Sequence, residues 1–146
     1  MDRFGTPVPG ETYWRRPGAY AVIQRADGLL AIVEMHGRYF HLPGGGIDDG
    51  EEPMAALRRE VLEETGLDVS PGALIAEVEE YAYAAELGHF VKAGRYHRAA
   101  LLGVVSPPQE AGHRLLWMTP EQALGCLVHP GQRWVVSQAT GTPETR

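Results

Sequence analysis

The sequence predicts an α/β fold in which a mixed β-sheet lies between helices. Three observations carry this. Short β-rich segments occupy both halves of the chain. One strongly marked helix interrupts them early, and one or two shorter helices close the chain. At 146 residues the chain is long enough for one domain with a single hydrophobic core and no disulfides.

The elements follow in order. Residues 1–17 read as an irregular arm, residues 18–140 as the domain, and residues 141–146 as a loose tail. Ala19–Arg25 and Leu29–Met35 are rich in β-formers, and Ala26-Asp27-Gly28 between them carries the Asp-Gly signal of a hairpin. Tyr39–Leu42 is a short strand. Pro43-Gly44-Gly45-Gly46 then breaks the pattern, and its glycines permit close approach of backbone to a ligand. A helix spans Pro53 to Thr65, with Pro53 suited to the first helical position and Gly66 to the C′ position. Strands follow near Leu74–Ala84 and Tyr96–Val105, separated by a looser stretch of about ten residues. Leu115–Met118 is a last short strand. Thr119 and Gln122 have capping-box spacing and open a helix to about Val128. His129-Pro130-Gly131 interrupts it before a second helical piece over Gln132–Ala139.

Composition narrows the function. Apolar residues make up 44% and charged residues 22%, as in an ordinary globular protein. The first residues lack the apolar core of a signal peptide, and no apolar run suits a membrane span, so the expected location is the cytoplasm. The single cysteine, Cys126, reads as a small buried hydrophobe. Net charge is −6, which argues against a nucleic-acid polymer as partner. Residues 48–64 hold seven acids and two arginines, a local charge of −5, so a polyanionic substrate would need cations bound first. Oligomeric state is not legible, and a homodimer stays open.

The acids gather on the early helix. At about 100° per residue, Met54, Leu57, Val61 and Leu62 form a core face. Glu60, Glu63 and Glu64 lie opposite as i, i+3, i+4 neighbours, with the small Ala56 one turn earlier. Three adjacent carboxylates repel one another, and two stand at the helix end where the macrodipole disfavours anions. A solvated acidic face is the plain alternative. The glycine loop just ahead favours a site for hard divalent cations, Mg2+ or Mn2+, which take carboxylate and phosphate oxygens.

The stretch from Gly45 through Glu51 and Arg59-Glu60-Val61-Leu62-Glu63-Glu64-Thr65-Gly66-Leu67 resembles the Nudix box, G-x5-E-x7-R-E-U-x-E-E-x-G-U. Every fixed position matches across 23 residues, and Leu42-Pro43-Gly44 before it is also similar to that family. The resemblance implies an α/β/α sandwich and a Mg2+-dependent pyrophosphohydrolase. The substrate would be a small nucleoside diphosphate derivative: a nucleoside triphosphate, a dinucleoside polyphosphate or a nucleotide sugar. It also implies that Glu60, Glu63 and Glu64 ligate metal, joined by the Gly45 carbonyl, with Glu60 or Glu64 also able to activate water. Arg59 and Glu51 would support them, Arg59 by orienting a glutamate. A further acid from a later loop is expected in such proteins. Glu110 is the first choice, ahead of Glu79, Glu80 and Glu86. Tyr81 and Tyr83 stand where dinucleoside polyphosphate hydrolases carry a substrate-binding tyrosine. No proline follows the box by about 15 residues, which weighs against ADP-ribose.

Other chemistries lack their motifs. No Gly-Lys-Ser/Thr follows the glycines, Ser70, Ser106 and Ser137 sit in no nucleophile elbow, and the six histidines form no helical pair. His89 and His97 read as surface residues. The rival reading is a catalytically silent nucleotide-binding regulatory module on the same fold. A pure binder has no need of three repelling carboxylates, and this chain has all three.

Overall fold

The computed structural model describes residues 1–144. Eight strands and three helices follow in order: β1 (Asp2–Phe4), β2 (Trp14–Val22), β3 (Leu30–Met35), β4 (Tyr39–His41), β5 (Gly44–Gly46), α1 (Pro53–Thr65), β6 (Leu67–Ala84), β7 (Gly88–Val104), β8 (His113–Met118), α2 (Pro120–Cys126) and α3 (Pro130–Thr140). A five-stranded mixed sheet has the order β1-β6-β7-β2-β5, and a three-stranded antiparallel sheet has the order β4-β3-β8.

The end of strand β2, with Ile23 just beyond it, is buried on both faces, which makes the sandwich. Ala19, Ala21 and Ile23 pack with Leu57 and Val61 of α1. Tyr20 and Val22 pack the other way, with Ala123, Val135 and Val136 of α2 and α3. The period-two alternation of a strand therefore divides the core into two layers.

Helix α1 has the predicted bounds. The Glu52 carboxylate caps it by accepting from Ala55 N at 3.0 Å. Gly66 ends it in the left-handed region at φ 75°, donating to Leu62 O. A Cβ there would stand 1.7 Å from Ser106 O, so only glycine fits. The second helical cap is also as read, with Thr119 and Gln122 forming a reciprocal capping box.

Several expectations change. The arm over residues 1–17 is not irregular throughout, since Asp2–Phe4 pairs with β6 and β2 begins at Trp14. The Asp-Gly turn forms, but β2 and β3 then diverge into separate sheets, joined by one bridge, Gln24 to Leu30. Gly44–Gly46 is a short strand on β2 rather than a loop. The loose stretch expected near residues 85–95 is mostly strand, because β6 and β7 form one long hairpin. Gly94 lies within that strand and serves packing, since a Cβ would stand 2.7 Å from the Tyr96 ring. The third helix starts at Pro130, and Cys126 is half-buried, its Sγ 3.5 Å from Met118 Sδ. His97 is buried, its Nδ1 2.9 Å from Gly72 O. On α1, Ala56 and Glu64 are buried as well as Leu57 and Val61, because strands cover the helix beyond its core face.

Candidate active site

A cavity of about 380 Å³ opens where α1, β5 and the ends of both sheets meet. One wall is acidic and another carries cations.

The acidic wall comes from α1. Glycine at β5 lets it approach, since a Cβ on Gly45 would stand 2.5 Å from the Glu60 carboxylate. Rotation about the helix axis then separates the glutamates into two sets. Oxygens of Glu60, Glu63 and Glu110 lie within 4.8 Å of one another. Glu64 instead turns inward, where one of its oxygens and ring nitrogens of His41 and His113 lie within the same distance of each other.

Arg59 organises the first set. Its guanidinium grips Glu51 with two bonds, Nε to Oε2 at 2.7 Å and Nη2 to Oε1 at 2.9 Å. This leaves Nη1 to reach Glu60 at 3.1 Å and Glu63 at 3.3 Å. A planar fork suits such bidentate holding. The Arg59 guanidinium pulls the Glu51 carboxyl down to about 2. Burial holds Glu60 above the usual carboxylate range despite the arginine. Glu110 reaches the set from the loop before β8, whose backbone is tied to the helix end: Gln109 N and Glu110 N both donate to Glu63 O.

The second set is largely buried. Burial raises Glu64 to about 9, against the lowering effect of Gly44 N, which donates to its Oε1 at 2.8 Å. Burial also lowers His41 to about 4. Sheet register brings the histidines together. His41 pairs with Val33 and His113 with Met35 on the strand between them, two residues apart, so both leave the same face.

The cationic wall is a cross-strand row. Arg16 on β2 pairs with Lys92 on β7, and Lys92 with Glu80 on β6. Lys92 Nζ sits 4.5 Å over the Tyr20 ring. Burial lowers the lysine to about 8. His129 also lines the cavity, held by burial near 3. Phe90 provides an apolar side.

Glu60, Glu64, Glu110 and Gly45 thus all border the cavity, with Glu63 and Arg59 beside them. Tyr81 and Tyr83 do not. They alternate with Glu80 and Ala82 on β6 and face away, Tyr81 against Tyr13 and Tyr83 against His89. The other acids are also elsewhere: Glu79 pairs with Arg3 and Arg15, Glu80 accepts from Gly131 N, and Glu86 lies in the β6–β7 turn. Sequence reasoning missed His41, His113, His129, Arg16 and Lys92. Their signal is positional, since each needs strand register to bring it to the cavity.

The NUDIX domain family model matches residues 14–138. The chain belongs to the Nudix family. Its curated relatives include proteins named RNA pyrophosphohydrolase, one from Roseobacter denitrificans that is 35% identical over 75 residues, 51% of this chain and 42% of the relative. The chain spans less than half the length of each curated relative it matches. Among solved structures, a NUDIX hydrolase from Nitrosomonas europaea aligns with a TM-score of 0.73 at 21% identity, covering 87% of this chain and 89% of that one. A MutT NUDIX hydrolase from Burkholderia pseudomallei aligns at 0.62 and 27% identity, covering 86% and 98%. These Nudix structures share the α/β architecture of a mixed sheet with helices.

Proposed function

We propose that this Nudix protein is a divalent-cation-dependent hydrolase that cuts the diphosphate linkage of a nucleotide-like substrate. The observation that carries this is the convergence of Glu60, Glu63 and Glu110 on one wall of a cavity whose other side presents Arg16 and Lys92. A diphosphate needs both. Cationic side chains hold its outer oxygens, while its reacting phosphorus must lie near the carboxylates, which repel it on their own.

The residues fit a hard cation. The donor set is all carboxylate, within the spread that one or two small ions can bridge, and Mg2+ suits such oxygens, with Mn2+ able to substitute. When bound there, such a cation supplies Lewis acidity toward the diphosphate and offsets the charge of the glutamates. Glu60, Glu63, Glu64 and Glu110 would hold it, with the Gly45 carbonyl beside Glu60.

The chain's own residues do the rest. Arg59 fixes Glu60 and Glu63 in one orientation, so little side-chain entropy is lost when they act together. Lys92 and Arg16 orient the phosphate chain. Glu60 or Glu64 is the carboxylate suited to accept the attacking water's proton, since burial raises the affinity of both for one. Phe90 offers a face on which a base can stack.

The substrate is a nucleoside triphosphate, a dinucleoside polyphosphate, a nucleotide sugar or the diphosphate end of an RNA. The relatives' name brings in the last. The net charge of −6 opposes nonspecific binding along a polymer, but it does not oppose a chain whose end alone enters the cavity. Turnover across such a panel, with and without chelator, tests the reading. Activity should vanish in excess chelator and return with Mg2+ or Mn2+. Undiminished turnover in metal-free protein defeats it.

A further inference from the structure

The row that carries Arg16 and Lys92 continues outward. Two residues before Arg16 on β2 is Trp14, and two before Lys92 on β7 is Phe90. The register pairs Trp14 with Phe90 just as it pairs Arg16 with Lys92. Strand parity sends all four side chains to one face, the face by which Arg16, Lys92 and Phe90 line the cavity. An aromatic pair therefore stands about 7 Å along the strands from a cationic pair.

Both pairs are arranged for a ligand more than for the fold. Neither Arg16 nor Lys92 has an ion-pair partner among the described residues, although seven other arginines do. Trp14 is 45% exposed, yet its ring is held in place. Its Nε1 donates to Leu87 O at 2.9 Å, and the ring packs on Phe90 with centroids 5.9 Å apart. On the opposite face Tyr13 packs against Tyr81 and His89, which braces the start of β2 on the β6–β7 hairpin. A tryptophan that only closed the core would be covered. This one is fixed by its edge and by Phe90, with apolar surface left free. Phe90 is mostly covered, so a base that reaches it meets Trp14 at the same time. The other exposed aromatics do not offer this. Tyr81 and Tyr83 face away from the cavity, and the Arg38 guanidinium lies 5.0 Å over the Tyr39 ring.

We propose that Trp14, backed by Phe90, is the base subsite of this cavity, and that its substrates are nucleotides rather than diphosphates that lack a base. Aromatic surface beside unpaired cations suits a base that stacks and a phosphate that is clamped. The spacing agrees, since a ribose spans the gap between a base on Trp14 and a phosphate on Arg16 and Lys92. Because the ring is already fixed, stacking costs little further side-chain entropy. The one polar atom of the Trp14 ring is committed to Leu87 O, so the platform reads no base edge and takes purines and pyrimidines alike. The subsite rests on the reading that the cavity holds a diphosphate.

The test uses the full chain with Mg2+ and two ligands that resist hydrolysis. One is a nucleoside α,β-methylene diphosphate; the other is methylenediphosphonate, the same phosphorus pair without the nucleoside. Calorimetry gives the affinities, and magnetic resonance follows the indole protons. The nucleoside analogue should bind roughly 5–150-fold more tightly, the advantage that stacking one base confers, and purine and pyrimidine forms should both show it. Trp14→Ala should remove most of that advantage and leave methylenediphosphonate binding unchanged, while Trp14→Phe should keep most of it. Ring-current shifts should appear at Trp14 and not at Trp134 or Trp117, which pack against Phe4 and Arg25. Equal affinity of parent and Trp14→Ala for the nucleoside analogue overturns the proposal. So does binding that leaves the Trp14 signals of the unmutated protein in place, a result that decides even where a variant does not fold. Methylenediphosphonate that binds as tightly as the nucleoside analogue sinks the base subsite alone. Failure of both to bind sinks the diphosphate reading with it.

Discussion

Glu63 and Glu64 are adjacent on one helix, yet they lie in opposite electrostatic regimes. The Glu63 side chain is 34% exposed and accepts from Arg59. The Glu64 side chain is 6% exposed and faces the His41 and His113 imidazoles and a backbone N–H. Rotation of about 100° per residue carries one carboxylate to the cavity rim beside a guanidinium and the next into the protein. Glu60 and Glu63 of the outer set are held by a permanent countercharge, the Arg59 guanidinium. The inner carboxylate has no such partner, and its acidity falls accordingly. Identical residues in one motif therefore have different effects when removed. Outer substitutions should read out in chemistry alone, while the inner one should also read out in stability.

The largest effect should come from the outer set. Glu60→Gln keeps the size of the side chain and removes a charge next to the reacting centre. Turnover should fall at least ~100-fold, equivalent to about 2.7 kcal/mol of transition-state stabilisation. Thermal stability should hold or rise, because a half-buried carboxylate is neutralised and its repulsion with Glu63 is relieved. Steady-state kinetics with a parallel thermal melt checks both halves. Normal turnover in a folded variant would shift the essential charge to another carboxylate.

Glu64→Gln sharpens the comparison through pH. In metal-free protein the folded-state pKa of Glu64 is about 9, raised chiefly by burial from an ordinary value near 4.5. A raised pKa contributes stability that is fully present below the unfolded value and is lost as pH rises through the folded one. His41 opposes this below pH 6.5, since its folded pKa is near 4 and the unfolded chain takes up its proton first. Lys92 opposes it above about 8, where its folded form loses a proton before the unfolded chain does. Between about pH 6.5 and 8 the Glu64 contribution should dominate. Stability of the chelated parent should decline there by at most about 1.4 kcal/mol per pH unit. Glu64→Gln should flatten that slope in denaturant melts taken at several pH values. Equal slopes for parent and variant would mean that burial does not raise the Glu64 carboxyl in the folded protein.

The sequence made the outer set legible and hid most of the inner one, for a physical reason. Glu60, Glu63 and Arg59 act through helical spacing, which the chain displays directly. The bounds of α1 were equally plain, because Pro53 and Gly66 act locally. His41 and His113 are 72 positions apart, and only the register of two strands on β3 joins them. Arg16 and Lys92 meet through β2–β7 pairing in the same way. Tyr81 and Tyr83 show the converse: spacing along the chain pointed to them, but strand parity turns them away from the cavity, toward Tyr13 and His89.

Glu110 is the residue that touches both sets, and its loss should have the smallest effect. Its carboxylate lies with Glu60 and Glu63 and also 3.4 Å from His113 Nε2, but the side chain is 40% exposed and has no arginine partner among the described residues. The loop does not depend on that carboxylate, because Gln109 N and Glu110 N are tied to Glu63 O through the backbone. Glu110→Ala should therefore leave stability within about 0.5 kcal/mol. Three helix glutamates remain to hold a cation, so maximal turnover should fall less than in Glu60→Gln. The concentration of Mg2+ needed for half-activation should rise roughly tenfold, as for loss of a supporting partner. A metal titration of rate separates the cases. A raised midpoint makes Glu110 part of the outer set. An activation curve and maximal rate that overlay the parent's make it a solvated acid, and the outer set is then the two helix carboxylates that Arg59 holds.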